Sequence, residues 1–334
     1  MKFEQIIQNI KAGQFAPVYF LMGEEAYFID EVMNLIEEKG LPEDQKSFNQ
    51  TILYADKQLK IGNVIAEAKR YPMMADRVVV LVKEAQHISK WDGLEEYLKN
   101  PTPSMVLAFA YKYKKLDKRK SLYKKLDNVG IVMESKKLYD NQLPKWIASY
   151  GEQKQISFTP GASLLMAESL GSDLSRVANE IDKLCILVKP DSTVDEQAIE
   201  DNIGISKDYN NFELTKTLGK KDLAKAITIQ KYFSANPKDH PLVLVLGVLY
   251  SYFSKLMMVN HSKNFNNSAI ASLIGVNPFF ADEYAQAARQ YDLKKLARII
   301  GYLRECDRKS KGIGNARTSD SELLKELIFK IIYV

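Results

Sequence analysis

The first 140 residues alternate between short, nearly continuous apolar runs and longer stretches in which apolar residues recur at helical spacing. The runs predict buried β-strands, because a strand covered on both faces of a sheet is apolar throughout. The predicted strands are Val18–Met22, Phe48–Tyr54, Arg77–Val82, Met105–Tyr111 and Ile131–Met133. Strands that are separated by helices of this length indicate a mostly parallel sheet covered on both faces.

Beyond residue 140 the helical spacing dominates. Residues 141–209 predict three or four short helices around a small core, with QISFTPG (155–161) as a linker and a last helix over Thr193–Ile203. Residues 210–334 predict helices throughout. The longest, HPLVLVLGVLYSYFSKLMMV (240–259), is apolar nearly all round, as the central helix of a bundle or of an oligomeric interface would be. The predicted fold class is therefore α/β plus all-α, with domains at 1–140, 141–209 and 210–334.

Composition and charge narrow the class of protein. With 334 residues, of which 46% are hydrophobic and 27% charged, the chain has the profile of a soluble protein with more than one domain. Two cysteines exclude a disulfide framework and favour a reducing cytoplasm. The longest apolar run, Pro241–Phe253, is too short to span a bilayer, so no membrane is expected. The net charge of +5 permits contact with nucleic acid without requiring it.

Nucleotide and metal chemistry is not expected. The first strand runs into GEEAYFID (23–30), which lacks the second glycine and the Lys-Ser/Thr pair that hold phosphates and magnesium. After VVVLV (78–82), where a Walker-B pair of acids would lie, the sequence has Lys83, Glu84 and Ala85. The histidines and cysteines show no ligand spacing. We therefore expect no cofactor, no metal and no intrinsic catalysis.

A turn between a helix and a strand carries two adjacent methionines. In VIAEAKRYPMMADRVVVLVKEA (64–85), Pro72 should end the helix before the strand begins near Arg77. Met73 and Met74 therefore fall on a connection that is expected at the surface. On the residues alone, two interpretations remain open. Both side chains tuck into the core, or they form a soft exposed wedge for the apolar groove of a partner.

A basic segment, YKYKKLDKRKSLYKK (111–125), interleaves lysine and arginine with tyrosine. Such a mixture can bind a phosphate backbone and stack bases. The possible DNA-binding residues are Lys112, Lys114, Lys115, Lys118, Arg119 and Lys120. The alternative is a solvated loop and helix whose lysine stems cover apolar surface. No base-reading motif accompanies the charge.

Six segments, spread over most of the chain, carry a resemblance to a known family. They are PVYFLMGEE (17–25), YPMMADRVVVLVKEA (71–85), MVLAFAYKYKKLDKRKSLYKKL (105–126), GSDLSRVANEIDKL (171–184), NNFELTKTLGKKDLAKAI (210–227) and LRECDRKSKGIG (303–314). In their order and spacing they resemble the delta subunits of the bacterial DNA polymerase III clamp loader. No single segment is a strong motif, and the specificity comes from the whole set.

The resemblance implies an AAA+-like domain that has lost ATP binding, a helical lid domain and a collar domain. The collar would join the motor subunits (gamma/tau) and delta-prime in a ring that acts on primed DNA. In this family, delta opens the ring-shaped sliding clamp (beta) by placing an apolar pair in a pocket near the clamp's interface. By position that pair is Met73 and Met74, where the family often has leucine and phenylalanine.

The clamp-binding residues implied by the resemblance are Pro72, Met73, Met74 and Arg77. The expected function is to open the clamp for loading during replication, in the cytoplasm. The protein itself would not catalyse a reaction, although the whole complex is a DNA-directed DNA polymerase. Two alternatives are an active AAA+ ATPase, which the missing phosphate-loop residues oppose, and a stand-alone nucleic-acid-binding protein that uses residues 112–125.

Overall fold

The computed structural model describes residues 2–139, 141–204, 209–262, 266–314 and 317–334. The chain forms two compact units, one ending at Leu138 and one beginning at Tyr139. Asp140 and residues 205–208, next to which the predicted domain boundaries fall, lie outside the described residues. The division into three domains stays a prediction.

The first unit is built on five parallel strands. They are β1 (Val18–Gly23), β2 (Gln50–Tyr54), β3 (Val78–Lys83), β4 (Met105–Lys112) and β5 (Ile131–Ser135). Their order in the sheet is β2-β3-β4-β1-β5, and in the register Phe20 lies opposite Phe109 and Val132. The central strands are buried along nearly their whole length. The predicted parallel sheet is therefore confirmed, and its five carboxyl ends meet at one edge.

Six helices cover the sheet. They are α1 (Phe3–Lys11), α2 (Ala26–Lys39), α3 (Glu43–Asn49), α4 (Ile61–Ala68), α5 (Leu94–Tyr97) and α6 (Ser121–Val129), with a 3-10 turn at Ala85–His87. Side chains of alternating strand positions enter two apolar cores, so that Phe20 points to one and Leu21 to the other. Both faces of the sheet are therefore closed, as its continuous apolar strands require.

The second strand begins later than its pattern predicts. The predicted strand includes Phe48 and Asn49, but these residues end helix α3, and the Phe48 side chain is exposed. This helix follows Pro42 and carries Glu43 and Asp44 in its first turn, where carboxylates stabilise the helix dipole. The assignment of Phe48 to a buried strand is therefore wrong, and the apolar pattern does not reveal the short helix.

The second unit begins with four helices and a two-stranded sheet. They are α7 (Leu143–Gln153), β6 (Ser157–Phe158), α8 (Pro160–Leu170), α9 (Leu174–Leu187), β7 (Thr193–Val194) and α10 (Glu196–Ile203). The supposed linker thus contains a strand, and Thr193 pairs with Ser157 instead of starting a helix. Helix α10 starts only after Asp195, whose carboxylate accepts a hydrogen bond from the Ala198 amide at 2.9 Å.

The rest of the second unit is helical over the described residues. Its helices are α11 (Asn211–Gly219), α12 (Leu223–Ala235), α13 (Leu242–Ser262), α14 (Asn267–Ile274), α15 (Ala281–Gln290), α16 (Leu293–Ser310) and α17 (Asp320–Ile332), with a 3-10 turn at Pro278–Phe280. One side of α13 supplies eight residues to the bundle core. Its other side exposes Val243, Leu244, Tyr250 and Met258. The long apolar helix is therefore both a core helix and an apolar surface.

Helix α13 is also longer than the apolar run that predicts it, since it continues to Ser262. Within the described residues it is the one helix whose length and composition would permit a membrane crossing. Its inner face is buried among the other helices of the bundle. A core helix passes the same test of length and composition, so this is weak evidence for a span.

Candidate functional site

The turn between α4 and β3, residues 71–76, presents its two methionines to solvent, and we call it the wedge loop. Met73 is 59% exposed and Met74 is 100% exposed. Met74 also has a φ of 52°, in the left-handed region that costs a residue with a side chain on the order of 1 kcal/mol or more. The interpretation that both methionines tuck into the core is therefore wrong.

The wedge loop is tied to the end of α3. The side-chain oxygen of Asn49 accepts a hydrogen bond from the Met73 amide at 2.7 Å. The Asn49 side-chain nitrogen donates to the Met73 carbonyl at 2.9 Å. A second tie runs from the Arg70 guanidinium to the Phe48 carbonyl at 3.1 Å. The two bonds from Asn49 fix the backbone of a loop whose two methionine side chains are exposed.

Further apolar surface flanks the methionines. Pro72 is half-buried, whereas Tyr71 and the neighbouring Phe48 are exposed. Arg77, at the start of the strand, lies over the Phe15 ring at 4.6 Å from its centroid. Sequence reasoning missed Phe48 as part of this surface because the pattern placed it inside a strand. The sequence pattern did not show that Phe48 lies at the end of a helix with its side chain exposed.

The place where an AAA+ fold would hold phosphate lies at the end of β1. A Cβ at Gly23 would overlap the backbone carbonyl of Ser135, so β1 and β5 approach too closely for any other residue. The Glu24 amide donates to the Ser135 carbonyl at 3.0 Å, and the Ser135 hydroxyl donates to the Glu25 carbonyl. The Glu25 carboxylate accepts from the Tyr27 amide at 3.2 Å. A carboxylate of the protein thus occupies the anion position at the start of α2.

Lys112 binds the acids that surround this edge of the sheet. Its ammonium lies 2.8 Å from the Asp30 carboxylate and 3.0 Å from that of Glu84. Burial alone would lower the pKa of Lys112, but the hydrogen bonds to the two carboxylates raise it above its ordinary value. Burial would raise the pKa of Glu84, and the bonds from Lys112 and Gln86 outweigh it and lower that pKa. The charges at this edge are therefore compensated within the protein.

The remaining candidate DNA-binding residues divide into paired and unpaired cations. Lys115 contacts Glu24 at 3.1 Å and Glu134 at 3.3 Å, and Lys118 contacts Glu134 at 2.9 Å. The Arg119 guanidinium contacts the Asp117 carboxylate at 2.8 Å. Among the described residues, Lys114 and Lys120 have no carboxylate partner, although Lys114 donates to the Gln86 carbonyl at 3.0 Å. Most of the basic segment thus neutralises acids of its own domain.

The residues at this edge do not fit a nucleoside triphosphate. Such a ligand needs backbone amides free to bind phosphate and a lysine directed at it. Here Glu24 and Glu25 line the loop, and Lys112 is already bound to two carboxylates. Two carboxylates beside a triphosphate would repel it. Among the described residues there is also no cluster of histidine, cysteine and carboxylate groups that could hold a metal ion.

Replacing Lys112 by methionine is expected to destabilise the first unit by about 1–2 kcal/mol, because Asp30 and Glu84 lose their shared cation. The lowered pKa of Glu84 means that its contribution is present above the ordinary value of 4.5 and is lost as the pH falls through the folded-state value. The variant should therefore also lose part of the acid dependence of its stability. Urea unfolding between pH 3 and 7 measures both effects.

The matched control for that substitution is Lys114→Met, because Lys114 has one hydrogen bond, to a backbone carbonyl, and an exposed side chain. We expect it to change the free energy of unfolding by less than about 0.5 kcal/mol. Equal effects of the two substitutions would contradict a stabilising role for the Lys112 pairs.

Comparisons with known proteins cover nearly the whole chain. The family model described as DNA polymerase III, delta subunit, matches residues 19–136. The model described as the C-terminal domain of the DNA polymerase III delta subunit matches residues 208–330. Together the two matches span more than half of the chain.

Two relatives from Bacillus subtilis extend these matches. DNA polymerase III subunit delta of strain 168 is 23% identical over 332 residues, which are 96% of this chain and 94% of that protein. The solved structure of the DNA clamp loader delta protein has a TM-score of 0.55 and 21% identity, covering 99% of this chain and 100% of that one. At this identity the structural likeness shows the fold, and the predicted class of α/β plus all-α is confirmed.

Proposed function

The chain belongs to the DNA polymerase III delta subunit family, and we propose that it binds the sliding clamp through the wedge loop and opens the ring for loading onto primed DNA. The observation that carries the proposal is the exposure of Met73 and Met74 on a loop with a fixed backbone. Two flexible apolar side chains that contribute nothing to the core are suited to fill an apolar pocket of a partner.

The free energy of binding to the clamp would drive the opening of the ring. A closed ring and an open ring are two states, and a ligand favours the open one only by binding it more tightly than the closed one. Burial of two methionines contributes about 3–6 kcal/mol gross, from which the cost of association and side-chain ordering is subtracted. Flanking groups, with Pro72 and Arg77 first among them, would supply further contacts.

The chain would act without a nucleotide of its own. At the position of a phosphate loop, Gly23 packs directly against the backbone of Ser135. Lys112, at the same edge of the sheet, is bound to two carboxylates. ATP on the motor subunits (gamma/tau) would then control the access of the wedge loop to the clamp. The chain would act as the delta subunit within a clamp-loader complex, and we propose the cytoplasm as its site of action.

The exposed side of α13 supports a collar in residues 210–334 that contacts the motor subunits and delta-prime. Val243, Leu244, Tyr250 and Met258 form an apolar stripe on a helix whose opposite side is already buried. Exposed apolar side chains along one side of a helix favour an interaction site there. Contact with primed DNA inside the complex, through the predicted basic residues, would depend mainly on Lys114 and Lys120, because the others are paired with carboxylates.

Capture of the cognate clamp by the immobilised chain tests the proposal. The unmodified protein should retain the clamp in the absence of nucleotide, and Met73→Ala/Met74→Ala should not. Equal retention by the two proteins would contradict clamp binding through the wedge loop.

A further inference from the structure

Asn49 is a buried polar residue whose side chain hydrogen-bonds to the backbone of the wedge loop and of its own helix. It ends helix α3, is 1% exposed, and bonds both the amide and the carbonyl of Met73. The same side-chain nitrogen lies 3.1 Å from the carbonyl of Gln45, one turn earlier in the helix. The asparagine thus joins the backbone of the wedge loop to a helix of the domain body.

We propose that Asn49 is a positioning residue for clamp binding, which holds the wedge loop in its binding conformation before the clamp arrives. This inference rests on the proposed function. Asn49 lies behind the loop and is too deeply buried to meet a partner, so it acts through Met73 and Met74.

The backbone of the loop explains why such a residue is needed. Met74 adopts a left-handed conformation that residues other than glycine rarely maintain unless the surrounding structure imposes it. Met74 is fully exposed and Met73 is more than half exposed, so packing in the core does not hold these side chains in place. The two bonds from Asn49 fix the residue immediately before Met74. Without them the loop is free to relax to backbone conformations that point the thioethers elsewhere.

Preorganisation has a measurable consequence for binding. When only a fraction of molecules holds the binding conformation, the apparent affinity falls by that fraction. Loss of two hydrogen bonds to the loop should lower the clamp affinity about tenfold, mainly through slower productive association. A residue that merely stabilised the domain would lower the unfolding temperature and leave the association of folded molecules unchanged.

The test compares Asn49→Leu, which keeps the side-chain volume and loses all three hydrogen bonds of the side chain, the two to Met73 included, with Asn260→Leu in the second unit. Asn260 is a matched control, because it also donates to two backbone carbonyls, those of Ala288 at 2.7 Å and Tyr291 at 2.6 Å. Association and dissociation rates with the cognate clamp, thermal unfolding, and hydrogen exchange at the Met73 amide are measured for each full-length variant.

For Asn49→Leu we expect about tenfold weaker clamp binding and faster exchange at Met73, and for Asn260→Leu a lower unfolding temperature with unchanged clamp binding. In a Met74→Ala background the Asn49 substitution should have a smaller effect, since the side chain that it positions is gone. If Asn49→Leu does not fold, Asn49→Ser, too short to reach both groups, provides the same comparison.

Two results separate this inference from the proposed function. Clamp binding that is sensitive to Met73→Ala/Met74→Ala but unchanged by Asn49→Leu would overturn the positioning role alone. Clamp binding that is insensitive to the methionine substitutions would overturn the proposed function itself. A loss of clamp binding by Asn49→Leu that only parallels its loss of folded protein would also overturn the positioning role.

Discussion

Met73→Ala/Met74→Ala is expected to weaken clamp binding by about 100-fold or more and to leave the unfolding temperature unchanged. The two methionines are exposed in the free chain, so their removal takes nothing from the core. In the complex they would be buried, and a loss of about 2.8 kcal/mol, well within their gross contribution, corresponds to 100-fold. Titration of the clamp with each protein gives the ratio of dissociation constants.

The control for this pair is Ile313→Ala, which removes an exposed aliphatic side chain from a turn of the second unit. It should leave clamp affinity and unfolding temperature as they are. A double methionine variant whose affinity fell by less than about threefold would mean that the wedge loop is not the principal contact.

Phe253→Ala is expected to destabilise the helical bundle by about 3–5 kcal/mol, because it leaves a cavity in the core. Phe253 is 0% exposed and packs edge-to-face on Tyr291 at 5.7 Å between ring centroids. Tyr250→Ala, three residues earlier on the same helix, removes a side chain that is 56% exposed. It should change the free energy of unfolding by less than about 0.5 kcal/mol.

Phe253→Ala should be the less stable variant, but folded Tyr250→Ala should be the variant that assembles less well. Folded Tyr250→Ala should associate more weakly with the motor subunits in gel filtration, since the apolar stripe on α13 is its proposed contact. Urea unfolding followed by circular dichroism gives the stability of both variants. Unchanged assembly by Tyr250→Ala would argue against that stripe as the collar interface.

The pattern of apolar residues was sufficient to predict the parallel sheet of the first unit and the helical bundle of the second. Continuous apolar runs in β1, β3 and β4 could be buried in only one way, between two layers of helix. It was insufficient for α3, because the predicted strand begins at Phe48, which belongs to a helix. It also missed β6 and β7, whose two residues each are too few to show alternation.

The sequence predicted the turn that carries the two methionines, but not whether their side chains are exposed. On the residues alone, burial and exposure of the two methionines were both open, and their exposure and the hydrogen bonds from Asn49 are seen only in the fold. The sequence shows the positive charge of the basic segment, but it does not show the carboxylates with which that charge is paired. Lys112 meets Asp30 and Glu84 only after the strands are placed side by side, and local periodicity carries no information about such distant pairs.

Ring opening in the absence of nucleotide tests the central claim most directly. A clamp labelled with a donor and an acceptor fluorophore across one of its interfaces reports the distance between the two sides. The unmodified chain should lower energy transfer without ATP, and Met73→Ala/Met74→Ala should leave it at the value of the closed ring. Opening by both proteins alike, or opening only after ATP has bound to this chain, would contradict the account.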